Sequence, residues 1–342
     1  MMRLPWFDYR AVATAEEASR VLAGEGPQAM LVSGGTDLLP NMKRRHQTPR
    51  VLVSVRNVAA MRELADDGPV SLGGALTLSE LVASATVRER YRGLWQAAAQ
   101  VATPHLRNMG TIGGNLCLDT RCTYYNQNEE WRKAIDYCLK RDGSTCWVAT
   151  ASKRCVAASS TDTAPALIAI GARVRLVSAA GERDIPVADL YRNDGIDYLS
   201  RRSDEVLTEV LLPDQEGWRS CYWKLRRRGS FDFPILGVAA AVKLGADGTV
   251  QDARVALGAV ASRPFLVPDA TTALVGKKLD DDAIAEAAAA VASRAKPLDN
   301  TDGDLYWRKE VVDDFCGYAL RELRGDDMSA TRTSIARQAL AA

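Results

Sequence analysis

Four cysteines, Cys122, Cys138, Cys146 and Cys155, fall in one polar stretch that has no hydrophobic period of its own. Thiolates gathered away from a core pattern suit soft metals, and four is the usual complement of one iron-sulfur cluster or one structural zinc. Their spacings are fifteen, seven and eight intervening residues, without the close CxxC pair on which zinc fingers and ferredoxins rely, so spacing leaves the metal open. His46 and His105 are the only histidines, so any metal site must be thiolate-rich. Two glycine loops precede the stretch. LVSGGTDLL at 31–39 sets Gly34 and Gly35 between an apolar strand and a helix start, with Thr36 and Asp37 as capping residues. GTIGGNL at 110–116 adds Gly110, Gly113 and Gly114, with Thr111 and Asn115 as side-chain donors. Glycines let backbone approach a ligand and free amides at a helix start point at an anion, so the natural guest is a phosphate or pyrophosphate. A single glycine pair is equally well a tight turn. Two loops in one domain can hold both ends of an extended ligand. Asp37 argues against a nearby dianion unless its carboxylate caps the helix and faces away.

The elements that must position these loops follow from periodicity. Residues 27–62 read as a small α/β unit: strand AMLVS, the glycine turn, a helix around LLPNMKRR with Leu38, Leu39 and Met42 at helical spacing, and strand VLVSV. Residues 70–118 continue with strand VSLGGALT, helices near SELVASATV and GLWQAAAQVA, and the second loop. Pattern is lost over 119–156 and returns with helix TAPALIAIGA and strand RVRLVS, so the cysteine stretch reads as inserted, and a loop of that size is uncommon unless it does something. PDQEGW at 213–218 reads as a linker. Beyond it come strands SCYWKLRRR, ILGVAAAVKL and DARVALGAV, a GADG hairpin turn, and helices DDAIAEAAAAVASRA and LYWRKEVVDDFCGYALREL. The expected organisation is an N-terminal subdomain at 1–60, a second at 61–215 holding the insertion, a C-terminal α+β domain at 216–325, and a polar tail at 326–342.

Composition narrows the class. With 47% hydrophobic and 25% charged residues over 342 positions, the chain is ordinary for a soluble multidomain protein. Its formal charge of +1 gives no bulk case for nucleic acid or an anionic membrane. The opening MMRLPWFDYR has no signal-peptide core and no apolar run is long enough to span a membrane, so a cytoplasmic protein is expected. Seven cysteines in a reducing compartment are thiols or metal ligands rather than disulfides.

The segments LVSGGTDLLPNMKRR, RNMGTIGGNL, STDTAPALIAIGARVRLVS, DEVLTEVLLP and YWKLRRRGSFDFPILGVAAAV, in that order, resemble the FAD-binding subunits of the xanthine oxidase and carbon monoxide dehydrogenase family of molybdenum hydroxylases. The resemblance implies an α+β fold, a two-part FAD-binding domain followed by a sheet covered by helices. It places Leu31, Val32, Ser33, Gly34, Gly35, Thr36, Asp37 and Leu38 around the FAD pyrophosphate, and Thr111, Gly114 and Asn115 at the flavin and pyrophosphate. Asp162 matches an aspartate at the ribitol or ribose, Leu207 a residue packing on the isoalloxazine, and Lys224 a lysine near the ring. Lys224, Arg226 and Arg228 alternate on a predicted strand and would share a face suited to an anionic flavin, although a solvated edge strand is the commoner meaning of such charges.

The family passes from GGNL to that aspartate through a short segment, whereas here roughly forty residues intervene. A cysteine-bearing insertion of this kind resembles that of the 4-hydroxybenzoyl-CoA reductases, whose FAD subunit carries an extra [4Fe-4S] cluster. On that resemblance Cys122, Cys138, Cys146 and Cys155 are its ligands, Cys117 is a packed thiol, and Cys221 and Cys316 are core residues. The resemblance implies an electron-transfer subunit with no catalytic residue of its own. A large partner would carry molybdopterin, a small partner [2Fe-2S] clusters, and reduced ferredoxin would be the donor for dehydroxylating 4-hydroxybenzoyl-CoA in anaerobic aromatic degradation, within a dimer of heterotrimers. Two alternatives stay open: the flavin subunit of an ordinary hydroxylase passing electrons to NAD or oxygen, with zinc in the insertion, and a non-enzymatic nucleotide-binding module.

Overall fold

The structure, a computed structural model, describes residues 3–338. The first unit holds β1 (Asp8–Ala11), α1 (Ala15–Glu25), β2 (Ala29–Val32), α2 (Leu38–Lys43) and β3 (Val51–Ser54). Its sheet is parallel with order β1-β3-β2, and the central strand VLVS is buried at every residue, as a strand covered on both faces must be. Thr14 caps α1 by accepting from the Glu17 amide at 3.1 Å.

The second unit runs through β4 (Leu64–Ala65), β5 (Ser71–Gly73), α3 (Leu78–Ala83), α4 (Ala85–Arg90), α5 (Arg92–Ala99), α6 (Pro104–Arg107), α7 (Ile112–Leu116), α8 (Glu129–Ala134), α9 (Thr163–Ile170), β6 (Arg173–Ser178), β7 (Gly181–Pro186) and β8 (Val206–Leu211). Its antiparallel sheet has order β4-β5-β8-β6-β7. The strand expected through VSLGGALT ends at Gly73. Gly74 lies against backbone, where a Cβ would stand 2.5 Å from the Leu207 carbonyl oxygen, so the chain turns there. The single helix expected over SELVASATV is two, because the Ser84 hydroxyl accepts from Val87 N at 3.2 Å and restarts the helix as α4.

The third unit contains β9 (Trp218–Leu225), β10 (Leu236–Leu244), β11 (Val250–Gly258), β12 (Phe265–Leu266), α10 (Pro268–Leu274), α11 (Asp281–Arg294), α12 (Leu305–Arg324) and α13 (Ser329–Gln338), with sheet order β12-β11-β10-β9. Val238, Ala240 and Val242 of β10 pack into the core with α11 and α12, while Ala239 and Ala241 face the second unit. There α9 is buried at all eight residues, joining the two units into one continuous core. The strand expected through SCYWKLRRR stops at Leu225, so Arg226 and Arg228 lie beyond it rather than on one strand face with Lys224. The expected polar tail is in part helix α13, docked by Arg332, whose guanidinium sits 3.9 Å from the Trp223 ring centroid; residues 339–342 lie outside the described residues. No helix among the described residues is long and apolar enough to cross a membrane.

Candidate functional site

The two glycine loops meet. A Cβ on Gly34 would overlap the Met109 carbonyl just before the second loop, and Gly35 turns at φ 68°, so both glycines are required by close approach and by backbone geometry. Between the loops lies a cleft of about 430 Å³. Among the described residues no acceptor takes the backbone amides of Gly34, Gly35, Thr36 or Asp37. The buried hydroxyls of Ser33 and Ser160 line the same cleft with no partner. Four unclaimed amides and two unclaimed hydroxyls form a cradle for a phosphate-bearing ligand. Thr111 serves the loop itself, capping α7 by accepting from Gly114 N at 3.1 Å.

Asp37 does not cap α2. Its carboxylate pairs with the Arg121 guanidinium and accepts from Asn41 Nδ2 at 3.2 Å, which answers the objection that it would repel a phosphate. Burial pushes Arg121 down to about 10.

Residues 31–38, Thr111, Gly114, Asn115, Asp162 and Leu207 all line the cleft. Asn115 also holds the next wall: its Oδ1 accepts from Thr161 Oγ1 at 2.8 Å and Thr163 Oγ1 at 2.7 Å, on either side of Asp162. Lys224 is placed differently from expectation. It is fully buried behind the cleft, neither solvated nor lining it, and donates to Asp162 Oδ2 at 2.9 Å and the Gln100 carbonyl at 3.1 Å. Tyr222 donates to the other Asp162 oxygen at 2.8 Å. Burial pushes the Asp162 carboxyl up and the Lys224 ammonium down, with their mutual contact opposing both shifts. Lys224 thus fixes an acid in the cleft wall. Arg226 is half-buried, donating to the Gln100 carbonyl, and Arg228 is exposed with Asp232.

The cysteine stretch packs onto the first glycine loop. Arg121 reaches Asp37 and Asn41, His46 stacks on Tyr125 at 4.3 Å between centroids, and the Arg132 guanidinium donates to the Arg44 carbonyl at 2.6 Å. A second set of bonds ties it to the third unit, with Asn300 Nδ2 donating to the Val156 carbonyl at 2.6 Å. These anchors gather the thiols. Cys122, Cys138 and Cys155 share one buried cluster with Tyr125 and Ala157, and buried Cys146 lies near enough to Cys155 for its charge to push that thiol up. All four are free, the Ala157 amide donates to Cys155 Sγ at 3.4 Å, and the amides of Tyr124 and Tyr125 bond the Cys122 sulfur. Burial pushes Cys122 to about 12 and Cys155 to about 11, so thiolates at these positions need compensating positive charge. Among the described residues no three His, Cys, Asp or Glu side chains close on a point as one metal ion requires. Of the remaining cysteines, Cys117 is half-buried at the cleft wall, and Cys221 and Cys316 are core residues.

Sequence reasoning missed Ser160, Asp119, Arg121 and Tyr198 as cleft residues. Only Asp119 and Arg121 carried a signal, two opposite charges just ahead of the first cysteine of the set.

Unclaimed amides on a glycine loop and a buried acid lining one cleft suit a nucleotide-binding protein. Comparison makes this specific. The family model for the FAD binding domain in molybdopterin dehydrogenase matches residues 5–215, and that for the CO dehydrogenase flavoprotein C-terminal domain matches residues 220–323. The chain belongs to this family of FAD-binding subunits. The aldehyde oxidoreductase FAD-binding subunit of Escherichia coli (strain K12) is 32% identical over 278 residues, covering 78% of this chain and 86% of that protein. The carbon monoxide dehydrogenase medium chain of Hydrogenophaga pseudoflava is 26% identical over 313 residues, covering 90% and 93%. The structure of carbon monoxide dehydrogenase from that organism, lacking the Mo-pyranopterin moiety, superposes with a TM-score of 0.77 at 26% identity, covering 94% of this chain and 98% of that one.

Proposed function

We propose that this chain is the electron-transfer subunit of a heteromeric molybdenum enzyme, carrying FAD in the cleft and a [4Fe-4S] cluster on Cys122, Cys138, Cys146 and Cys155. The observation that carries the cluster is the burial of four free thiols on a loop docked on the FAD loop, with Cys122, Cys138 and Cys155 in one cluster and an N–H···S bond on Cys155. A four-iron cluster takes each thiolate at a different iron, so four cysteines complete one cluster. When bound, FAD exchanges one or two electrons and the cluster one. The protein's part is to hold the pyrophosphate on residues 33–37, fix Asp162 through Lys224, Tyr222 and Asn115, and keep water from the thiols.

Relatives named as FAD-binding subunits or medium chains support a large molybdopterin partner and a small [2Fe-2S] partner. Their names, an aldehyde oxidoreductase and a carbon monoxide dehydrogenase, favour oxidation on the large partner with electrons flowing outward through this chain. Reductive dehydroxylation of 4-hydroxybenzoyl-CoA by reduced ferredoxin rests on the cysteine insertion alone. Metal analysis and a visible spectrum of anaerobically purified enzyme test the assignment: about four irons on this chain with FAD are expected, and zinc without iron would sink it. Bleaching of the oxidised enzyme by an aldehyde supports oxidation on the large partner, whereas recolouring of the dithionite-reduced enzyme by 4-hydroxybenzoyl-CoA, which accepts the electrons, supports reductive dehydroxylation.

A further inference from the structure

Lys140 lies between the thiols and the cleft. Its side chain is 6% exposed, and its ammonium donates to Asp119 Oδ1 at 2.7 Å, Thr120 Oγ1 at 2.6 Å and the Gly195 carbonyl at 2.6 Å. All three donors of the ammonium are therefore used, which fixes its position. The nitrogen also sits 4.7 Å from the Tyr125 ring centroid and 5.4 Å from that of Tyr198. Tyr125 packs in the cysteine cluster, and Tyr198 lines the cleft. Gly195 presses on the set itself, since a Cβ there would stand 2.6 Å from Cys155 Sγ. Asp119 lines the cleft and accepts from Gln47 at 3.2 Å and from the Tyr125 hydroxyl at 3.0 Å, while Lys140 reaches the cysteine set through the Tyr125 ring and through Gly195 beside Cys155.

We propose that Lys140 is a positioning residue that sets the reduction potential of the four-thiolate cluster, its buried ammonium stabilising the state that carries the extra electron. This rests on reading the four cysteines as cluster ligands. The step is a single electron transfer: a one-electron donor is oxidised, the cluster is reduced, and its charge becomes more negative by one. No bond forms or breaks, and no proton is taken up. A fixed positive charge in a dry setting favours the more negative state, because net charge and hydrogen bonding are what set cluster potentials.

The test titrates the cluster's paramagnetic resonance signal against applied potential in the complete, anaerobically purified enzyme, for wild type, Lys140→Met, Lys140→Gln and Lys140→Arg. Lys140→Met should retain iron and shift the reduction equilibrium at least tenfold toward the oxidised cluster, about 59 mV for one electron. Lys140→Arg, which keeps the charge, should stay within roughly threefold of wild type, well under that tenfold step. Full iron in Lys140→Met at the wild-type potential would overturn the proposal. So would loss of iron from both neutral variants with a wild-type potential in Lys140→Arg, which would make the lysine an assembly residue. Wild-type enzyme without iron in this chain would instead remove the cluster reading on which the proposal stands, and is told apart because it appears before any substitution.

Discussion

The flavin cleft and the thiol loop solve opposite problems with opposite means. The cleft is made of regular elements, β2, α2, α7 and β8, and leaves amides and hydroxyls unclaimed for a ligand's phosphates. The thiol loop has one short helix and is held by side chains reaching out of it, Arg121 to Asp37, Arg132 to Arg44 and Lys140 to Gly195. One site is built by backbone and the other by buried charge. The lesson is that a long aperiodic loop can be fixed on a fold when its own polar groups do the anchoring.

The largest expected effect separates the two sites outright. Cys138→Ser should abolish or alter the cluster's absorbance and iron content while FAD stays bound, whereas Cys316→Ser, on the buried face of α12, should leave both. Equal loss in the two variants would mean the cysteines have been sorted wrongly. Asp162→Ala comes next. It leaves Lys224 buried without its partner, and urea unfolding should show a loss of about 3–5 kcal/mol. Lys224→Met should cost less, because burial already pushes the Asp162 carboxyl up and lets it take a proton. A third variant, Gly34→Ala, forces the two glycine loops apart at the Met109 carbonyl. Overpacking of this kind costs about 1–3 kcal/mol, so FAD should bind roughly 10- to 100-fold more weakly in equilibrium dialysis, with iron unchanged.

These predictions reach different depths of the sequence. The glycine loops were legible because their function is local: a strand, two glycines and a helix start lie within nine residues. The four cysteines were legible as a set, but not their gathering, since the loop has no period and its anchors come from residues 37–47, 195 and 300. By resemblance Lys224 reads as a lysine near the flavin ring and by alternation as one of three charges on a strand face, because the sequence shows the run KLRRR but not Asp162, sixty-two positions away, that buries its first member. Lys140 carried no signal at all. Its three acceptors come from two separated segments, and only folding brings them to one nitrogen.

The smallest effect lies at the seam between the sites. Burial pushes His46, stacked on Tyr125, from its ordinary 6.5 down to about 4, so it is neutral in the fold while the unfolded chain takes up a proton. Its contribution is present above pH 6.5 and is lost as pH falls toward about 4. His46→Phe keeps a ring on Tyr125 and removes the proton, so its unfolding midpoint should fall less than that of wild type across this window. A parallel pH dependence in the two proteins would place the acid sensitivity elsewhere.

The central claim is that one chain holds two redox groups, and counting electrons tests it most directly. In an anaerobic dithionite titration of the complete enzyme, wild type should take up one electron more per copy of this chain than Cys138→Ser, because the cluster accepts one and FAD is untouched. Equal uptake by the two proteins, with FAD present in both, would contradict the account.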